Sequence, residues 1–368
     1  MTPFDFRPRT RVLFGTGEFA RLGEVAREMG GTRCLLVADP GILEIGYAKE
    51  ATRTLKARRM DVVAFHDFSA NPTSAMVEAG AEFAAPHKVD MIVSVGGGSS
   101  MDCAKGINFL LSNGGRMRDY WGYGKATKPM VPMIAVPTTA GTGSEAQSYC
   151  IVTDPDTKVR MACGDAKATF RAAILDPKLT VSQPQELSAA TGYDALSHAL
   201  ETLVTTRHNP LSECFSRSAW SLISGAYERM IENPDDLDAR GAMLLGAHFG
   251  GLGVENSMLG AAHACAFPLT ARFGVQHGVA VSLMMRQVVR WNRPVAGARY
   301  DELGREDLED RLSRMAEAAG LPMTLRDVGI GNESLPGLAE EAASQWPGRF
   351  NPRPLDTAGA LEIYQWAL

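Results

Sequence analysis

The sequence has little of what marks several classes of protein. Its six cysteines are scattered over 368 residues, and no two of them form a Cys-x-x-Cys pair. This spacing excludes a disulfide framework and a zinc ribbon, and it predicts cysteines that serve as small buried apolar residues. No apolar run reaches the roughly 18 residues that a membrane-spanning helix needs. We therefore expect neither a membrane protein nor a disulfide-stabilised secreted domain.

An excess of charge of one sign is also lacking. The 37 Lys and Arg residues are balanced by 42 Asp and Glu residues, so the net charge is only −5 and no basic surface for nucleic acid is expected. Residues 1–7 contain no apolar stretch of the kind that a secretory signal needs. The mean hydropathy of −0.09 is typical of a soluble globular protein, for which a reducing cytoplasm is the expected location.

The chain is too long for one compact core, and its pattern changes halfway. In the first half, short apolar runs such as 34–39 and 91–95 alternate with stretches of helical spacing. This alternation predicts βαβ units and a parallel sheet. After Pro184 the strand patterns almost vanish. The sequence therefore predicts an α/β dinucleotide-binding domain over residues 1–180 and an all-α domain over residues 181–368.

Five stretches of the second half show helical apolar spacing. They cover residues 186–203, 212–231, 236–250, 279–291 and 306–319. In the first half, the turn-rich segment 113–130 is predicted to be a surface excursion.

A run of three glycines follows the predicted strand 91–95. Gly96, Gly97 and Gly98 lead into Ser99 and then, within the next predicted helix, Asp102. Without Cβ atoms, the backbone N–H groups at this strand-to-helix turn can approach an anion, and the positive end of the helix favours a pyrophosphate. The spacing matches neither G-x-G-x-x-G nor a P-loop. A glycine-rich tight turn without a ligand is an equally good interpretation of this stretch alone.

An acid stands at the end of an earlier strand. Asp39 closes the apolar run 34–39, where a carboxylate can accept hydrogen bonds from ribose hydroxyls and would repel a 2′-phosphate. This position favours NAD(H) over NADP(H). The alternative is an acid that only caps a helix or lies in a loop.

Hydroxyl side chains and glycines follow the predicted strand 133–136. Such a stretch suits hydrogen bonding to phosphate and carboxamide groups, and its candidate cofactor-binding residues are Thr138, Thr139, Thr142 and Ser144. Lys158, after a predicted hairpin, is a further candidate because its side chain could reach toward the domain cleft.

The second half contains a candidate metal site. Asp194 and His198 are four residues apart in a predicted helix, so a carboxylate oxygen and an imidazole nitrogen share one face and can bind one divalent cation. His263 and His277 would complete a four-ligand set. Taken alone, Asp-x-x-x-His is weak evidence, and a solvated helix face is the alternative. A cleft between the two domains would join this site to the nucleotide.

Four stretches together are more specific than any one of them. They are Gly96-Gly97-Gly98-Ser99 with Asp102 and Lys105, residues 137–145, residues 192–201, and residues 260–278. In order and spacing they resemble the iron-containing (group III) alcohol dehydrogenase family, and the likeness covers essentially the whole chain. The resemblance implies the fold shared with dehydroquinate synthase and glycerol dehydrogenase.

The resemblance also implies a chemistry. A divalent metal, usually Fe²⁺ and sometimes Zn²⁺, would be held by Asp194, His198, His263 and His277. The enzyme would move a hydride between NAD(H) and a small alcohol or aldehyde. Asp39 matches the members that prefer NAD. Members commonly form homodimers or larger homo-oligomers.

The implied substrate pocket contains two departures from many relatives. It is lined by Tyr149, Ile151, Val254 and Phe267, between the metal and the nicotinamide. Phe267 replaces a histidine, and Val254 replaces an aromatic residue. Three of the four side chains are wholly apolar, so we expect apolar aldehydes to be preferred over polyols.

Two other functions stay open. One is a same-fold oxidoreductase acting on an oxo-acid or a polyol, similar to maleylacetate reductase or glycerol dehydrogenase, although the four metal positions argue against a metal-free reductase. The other is a catalytically silent nucleotide-binding protein, suggested only by Phe267.

Overall fold

The computed structural model describes residues 3–157 and 159–368, and the chain separates into two compact units. One unit comprises Arg7–Thr139 and Ser144–Ser182, and the other comprises residues up to Phe6, Ala140–Gly143 and Gln183–Leu368. The predicted fold, an α/β half followed by a helical half, is confirmed. The boundary between residues 180 and 181 stays a prediction.

A six-stranded parallel sheet forms the middle of the first unit. Its strand order is β1-β9-β6-β4-β2-β3, and a smaller sheet has the order β5-β8-β7. The strands are β1 (Arg11–Phe14), β2 (Arg33–Val37), β3 (Asp61–Phe65), β4 (Met91–Gly96), β5 (Gly122–Tyr123), β6 (Met133–Pro137), β7 (Tyr149–Thr153), β8 (Arg160–Gly164) and β9 (Ala172–Leu175). Central strands β4 and β6 are buried at every position, whereas edge strands β1 and β3 are partly exposed. A central parallel strand is covered on both faces, and this is why β4 and β6 are largely apolar along their length.

The described residues of this unit form five α-helices. They are α1 (Leu22–Glu28), α2 (Pro40–Glu44), α3 (Tyr47–Ala57), α4 (Ser74–Ala84) and α5 (Gly98–Asn113). Helices α1 and α3 share one buried apolar cluster with β2, β4, β6 and β9. Helices α4 and α5 pack on each other, and α5 also packs on β4, from which it follows directly. The carboxyl end of β4 therefore leads straight into the N-terminus of α5.

The second unit is built around one buried helix. Helix α6 is buried from Ser188 to Val204 at every position except Thr191, and it packs on α7, α8 and α10. The helices are α6 (Gln185–Val204), α7 (Pro210–Glu232), α8 (Leu237–Ser257), α9 (Ala261–Phe273), α10 (His277–Asp301), α11 (Leu308–Ala318), α12 (Leu335–Ser344) and α13 (Thr357–Ala367). None of the helices in the described part of the chain is long and apolar enough to cross a membrane.

The predicted C-terminal bound of helix α8 was wrong. Helix α8 was predicted to end at Gly250 but continues to Ser257, because its glycines serve packing and do not end the helix. A Cβ on Gly246 would lie 2.6 Å from the Ile223 side chain, and one on Gly251 would lie 2.3 Å from the Gly143 carbonyl oxygen. Close contact between backbones thus outweighs low helix propensity here.

Other elements differ from the sequence-based expectation. Helix α10 continues past Pro294 to Asp301, and helices α9, α12 and α13 were not predicted. The segment 113–130 is not a pure surface excursion, because Met117 and Tyr120 are buried.

Candidate metal centre and nucleotide-binding residues

Helix α6 presents three buried polar side chains on one face. Asp194, His198 and Glu201 follow one another at spacings of four and three residues, which places them in one row along the helix. They are only 3%, 5% and 2% exposed. Buried ionisable groups are unfavourable unless they are paired or bind a metal. This row is therefore the first candidate for a functional site.

Three imidazoles converge on the carboxylate of Asp194. Its Oδ1 atom lies 3.4 Å from His263 Nε2 and 3.7 Å from His198 Nε2. The Nε2 atom of His277 lies 3.8 Å from the same oxygen. Four ligand atoms around one ion, each at about 2.1 Å, would lie roughly 3.4 Å apart in a tetrahedron. The observed separations thus match the ligand shell of one divalent cation.

The donor atoms differ in how closely they cluster. Those of Asp194, His263 and His277 all lie within 4.8 Å of one another. His198 joins this group through Asp194 and through its ring, which stacks on the His263 ring with centroids 5.0 Å apart. The structure therefore brings together all four residues that the sequence analysis named, and it surrounds one oxygen with three nitrogens.

The electrostatics of the cluster also fit a cation. Asp194 Oδ1 is buried and makes no hydrogen bond of regular geometry within the described residues. Burial alone would raise the pKa of Asp194, but the surrounding imidazoles hold it well below its usual range. Burial likewise would lower the pKa of His263, whereas the carboxylates of Glu201 and Asp194 raise it to about 9. Only positive charge, from protons or from a metal ion, balances a carboxylate at this depth.

Two glycines let the other helices reach α6. A Cβ on Gly278, next to His277 at the start of α10, would lie 2.2 Å from the Ala190 carbonyl oxygen of α6. A Cβ on Gly260, the residue before α9, would lie 3.0 Å from Asn351 Oδ1. His263 is the third residue of α9. The absence of these two side chains therefore allows both helix N-termini to come close enough for their histidines to face Asp194.

Glu201 is a site residue that the sequence analysis did not assign. Its Oε2 atom lies 2.6 Å from His263 Nδ1, and its Oε1 atom accepts a hydrogen bond of 2.7 Å from the Ala262 N–H. The signal was present in the sequence, because Glu201 continues the row of Asp194 and His198 by one helical turn.

The three glycines after β4 form the start of a long helix. Gly97 is the N-cap of α5 and supplies no side-chain cap, so backbone N–H groups are left at the N-terminus of a 16-residue helix. Gly96 has a φ of 146°, and a Cβ there would lie 2.3 Å from Ser100 Oγ. The tight turn is therefore observed, and it leaves N–H donors suited to an anion. Binding of a pyrophosphate at this turn stays a prediction.

Asp39 occupies the end of β2 with both carboxylate oxygens engaged. Oδ1 accepts from the Ile42 N–H at 3.2 Å and so caps α2. Oδ2 accepts from the Ser100 hydroxyl at 3.0 Å. The helix-cap alternative is thus observed. It is compatible with a ribose contact, because each carboxylate oxygen has a second lone pair.

Asp102 and Lys105 lie on α5, the helix that begins at this turn. Asp102 accepts from the Ser144 hydroxyl at 3.2 Å, and burial raises the pKa of the Asp102 carboxyl to about 6. Lys105 is fully buried and donates to the Ser144 and Tyr149 carbonyl oxygens at 2.8 and 2.6 Å. Its charge therefore lies beside Asp102, where it partly offsets the effect of burial on that carboxyl.

Other named candidates have more varied positions. Ser99 Oγ accepts from the Asn71 N–H at 3.1 Å, and the Thr138 N–H donates to the Gly96 carbonyl. Thr142 lies in the segment Ala140–Gly143, which belongs to the helical unit. Lys158 lies outside the described residues. The assignment of all the named candidates to cofactor binding stays a prediction; they are Asp39, Gly96, Gly97, Gly98, Ser99, Asp102, Thr138, Thr139, Thr142, Ser144 and Lys158.

Among the predicted pocket residues, Phe267 has the clearest position. It lies one helical turn after His263 on α9, with its ring 6.2 Å from the His263 ring and 5.8 Å from the His277 ring. Val254 is buried in α8. Tyr149 and Ile151 are half-buried on β7, and the Tyr149 ring packs 5.3 Å from that of Tyr123.

Comparison with known proteins agrees with this geometry. The model of the iron-containing alcohol dehydrogenases matches residues 8–177, and the model of the C-terminal region of the Fe-containing alcohol dehydrogenase family matches residues 188–368. The chain is 32% identical to the NAD-dependent methanol dehydrogenase of Bacillus methanolicus, with 100% of both chains covered. It is 30% identical to the lactaldehyde reductase of Escherichia coli strain K12, covering 96% of this chain and 97% of that protein.

Solved structures share the fold over the whole chain. A crystal structure of 1,3-propanediol oxidoreductase superposes with a TM-score of 0.96 at 30% identity, covering 100% of both chains. The sulfoacetaldehyde reductase of Bifidobacterium kashiwanohense in complex with NAD⁺ gives a TM-score of 0.91 at 27% identity, covering 100% of this chain and 99% of that one. With both halves matched in order and the donor cluster in place, the chain belongs to the iron-containing alcohol dehydrogenase family.

Proposed function

We propose that this protein is a metal-dependent alcohol dehydrogenase, or aldehyde reductase, that moves a hydride between NAD(H) and a small alcohol or aldehyde. The observation that carries the proposal is the convergence of three imidazole nitrogens on the buried Oδ1 atom of Asp194. Family membership and the NAD-linked relatives support the reaction class.

The residues that would hold the metal are Asp194, His198, His263 and His277. A donor set of one oxygen and three nitrogens suits Fe²⁺, and it also admits Zn²⁺, Co²⁺ or Ni²⁺. The family description favours iron. When bound, such an ion supplies Lewis-acid polarisation of the alcohol or aldehyde oxygen, which is worth several kcal/mol. Asp194, His198 and His263 are each at most 5% exposed, so their charges act at low dielectric.

The cofactor would be held at the carboxyl ends of β2 and β4. The uncapped N-terminus of α5 offers backbone N–H donors for the pyrophosphate, and Asp39 offers lone pairs for the ribose hydroxyls. Asp39 is held by two hydrogen bonds, to Ile42 and Ser100. Its carboxylate is thus oriented before a nucleotide arrives, which supports selection of NAD(H) over NADP(H).

The side chains near the metal candidates favour an apolar substrate. Phe267 is buried beside His263 and His277, and Val254 is buried in the same unit. Neither can hydrogen-bond a second hydroxyl of a polyol, and a buried hydroxyl without a partner costs about 1–3 kcal/mol. Two relatives are named for the polar substrates 1,3-propanediol and lactaldehyde. The test is therefore to compare activity on polar aldehydes with activity on apolar ones.

We also propose a cytoplasmic homodimer or larger homo-oligomer. All six cysteines are free thiols, and five are buried, which suits a reducing compartment. The edge strand β1 exposes Val12 and Phe14 at 39% and 45%. An exposed apolar edge strand needs cover, and a second copy would supply it. Light scattering of the purified protein tests the assembly, and a monomer would contradict it.

The function is tested by metal analysis joined to an activity panel. Protein purified without oxygen is assayed for iron and zinc, and then with NADH against acetaldehyde, butanal, lactaldehyde and glyceraldehyde. We expect about one metal per chain, NADH oxidation with the aldehydes, and loss of activity after chelation that added Fe²⁺ or Zn²⁺ restores. Turnover that survives complete metal removal would contradict the proposal, and NADH binding without turnover on any aldehyde would point to a silent protein.

A further inference from the structure

We propose that Glu201 is a positioning residue that fixes the His263 imidazole in the tautomer with the proton on Nδ1. In that tautomer, the Nε2 lone pair is directed at the metal position beside Asp194. The inference rests on the proposed metal centre, and it adds a residue that holds one ligand and does not touch the ion. Its basis is the geometry around one buried carboxylate.

The orientation of the Glu201 carboxylate is fixed on both sides. Oε1 accepts from the N–H groups of Ala262 at 2.7 Å and His263 at 3.3 Å. These donors lie in the first turn of α9, where an N–H group has no carbonyl partner within the helix. Oε2 lies 2.6 Å from His263 Nδ1. Oε1 therefore accepts from the N-terminus of α9, and Oε2 contacts the imidazole.

The short distance to Nδ1 decides the tautomer. An ionised carboxylate only accepts hydrogen bonds, and a neutral imidazole carries one N–H. If that proton were on Nε2, the Nδ1 lone pair would face a carboxylate lone pair at 2.6 Å. Both side chains are 2% exposed, so solvent cannot relieve this repulsion. A metal ion binds only the neutral imidazole, and in that form Nδ1 as the donor leaves the lone pair on Nε2, the atom that lies 3.4 Å from Asp194 Oδ1.

The surrounding residues are arranged so that Glu201 can reach both groups. A Cβ on Gly260 would lie 3.1 Å from Glu201 Oε1, so a glycine at this position leaves room for the carboxylate. Asn351 Oδ1 accepts from the Ala261 N–H, the remaining early donor of α9. Two side chains from distant positions thus cap the helix, but only Glu201 also contacts the imidazole.

This difference provides a matched control. Glu201→Gln keeps the size of the side chain but can donate as well as accept, so it no longer imposes one tautomer on His263. Asn351→Ala removes the other side-chain acceptor at the same helix N-terminus and leaves the Glu201–His263 contact in place. Metal-free protein of each variant is titrated with Zn²⁺ in competition with a chelator, and its Tm is recorded.

We expect Glu201→Gln to weaken Zn²⁺ binding by about 10- to 100-fold, the usual effect of losing a hydrogen-bond partner behind a histidine ligand. Asn351→Ala should lower the Tm of the metal-free protein and leave Zn²⁺ affinity within about threefold. Unchanged affinity in Glu201→Gln, or an equal loss in both variants, would overturn the inference. His263→Ala is measured alongside them. If it keeps full affinity, the proposed metal centre is wrong, and if it alone loses Zn²⁺, only the role of Glu201 is wrong.

A second measurement needs no variant of Glu201. In Zn²⁺-loaded wild-type protein with ¹⁵N-labelled histidine, the His263 ring should show a protonated Nδ1 and a metal-bound Nε2. The signal is assigned by its loss in His263→Gln. A metal-bound Nδ1 or a protonated Nε2 in the loaded protein would overturn the inference even if Glu201→Gln did not fold.

Discussion

Cofactor choice offers the sharpest test of the nucleotide site, and Asp39→Asn is the perturbation. Asparagine keeps an oxygen that caps α2 through the Ile42 N–H, and it can still pair with the Ser100 hydroxyl. What it removes is one negative charge. A change in selectivity then reports the charge of Asp39, not the loss of the cap.

The size of the effect follows from Coulomb's law. A 2′-phosphate on the hydroxyl that Asp39 accepts would lie about 4 Å from the carboxylate, where two unit charges repel by roughly 1 kcal/mol in water and 4 kcal/mol at an effective dielectric constant of 20. Asp39 is partly exposed, which favours the lower half of that range. We expect the wild type to prefer NADH over NADPH by about 10- to 100-fold in kcat/KM. Asp39→Asn should remove most of that preference.

Steady-state kcat/KM values for NADH and NADPH with one aldehyde measure the effect, and raising the salt concentration should shrink the wild-type preference because salt screens the repulsion. Asp39→Gly should also narrow the preference, with weaker NADH binding as an added cost because the ribose acceptor is lost. Asp307→Asn, at the N-cap of α11, is the control and should leave the ratio unchanged. Equal kcat/KM for both cofactors in the wild type would refute the reasoning.

Five further results are expected. His263→Ala should lose most bound metal and nearly all activity, and a variant that keeps both would contradict the assignment. Wild-type kcat/KM should rise from acetaldehyde to butanal, by up to about 0.8 kcal/mol per buried methylene. Phe267→His should shift the preference toward glyceraldehyde, whereas a wild-type preference for glyceraldehyde would contradict the apolar pocket. Burial raises the pKa of folded Asp102 to about 6, above the pKa of the unfolded chain. The protonated carboxyl therefore stabilises the fold fully at a pH below the unfolded pKa, and this stabilisation is lost as the pH rises through about 6. Metal-free Asp102→Asn should thus have a higher Tm than the wild type near pH 7.5 and a similar Tm near pH 4. A Tm difference between the two proteins that does not change with pH would contradict the raised pKa of Asp102. Gly251→Ala places a Cβ 2.3 Å from the Gly143 carbonyl oxygen and should destabilise the protein by about 1–3 kcal/mol, so an unchanged Tm would show that the contact can relax.

The sequence predicted the sheet well because its signals are local. Buried parallel strands are largely apolar runs, and strand β4, predicted over 91–95, is observed over Met91–Gly96. Helix α9 was missed because its N-terminal cap is not local. The residue before it, Gly260, offers no side chain, and the acceptors come from Glu201 and Asn351, far away in the chain. A pattern read along the chain cannot show such a partner.

In the candidate site, too, local spacing predicted some contacts and could not predict others. Asp194 and His198 could be paired from their spacing, but their meeting with His263 and His277 needed the resemblance, since no spacing rule links residues on three helices. The packing role of the glycines was the hardest feature to predict from the sequence. A run such as Gly250-Gly251 in α8 resembles a helix end, yet a Cβ on Gly250 would lie 3.2 Å from the His198 side chain and one on Gly251 would meet the backbone.

Helix α6 explains why the metal candidates and the packing glycines occur together. A helix buried on nearly every face would normally be apolar throughout, yet α6 carries Asp194, His198 and Glu201 in one row. His198 lies 3.7 Å from Asp194 on this same helix, and the further partners, His263 and His277, lie on neighbouring helices. Those helices must approach closely because carboxylate and imidazole side chains are short. Gly278 permits that approach to the backbone of α6. Gly278 is therefore part of the site in the same sense as the candidate ligands, because it sets how closely the helix that carries His277 can approach α6.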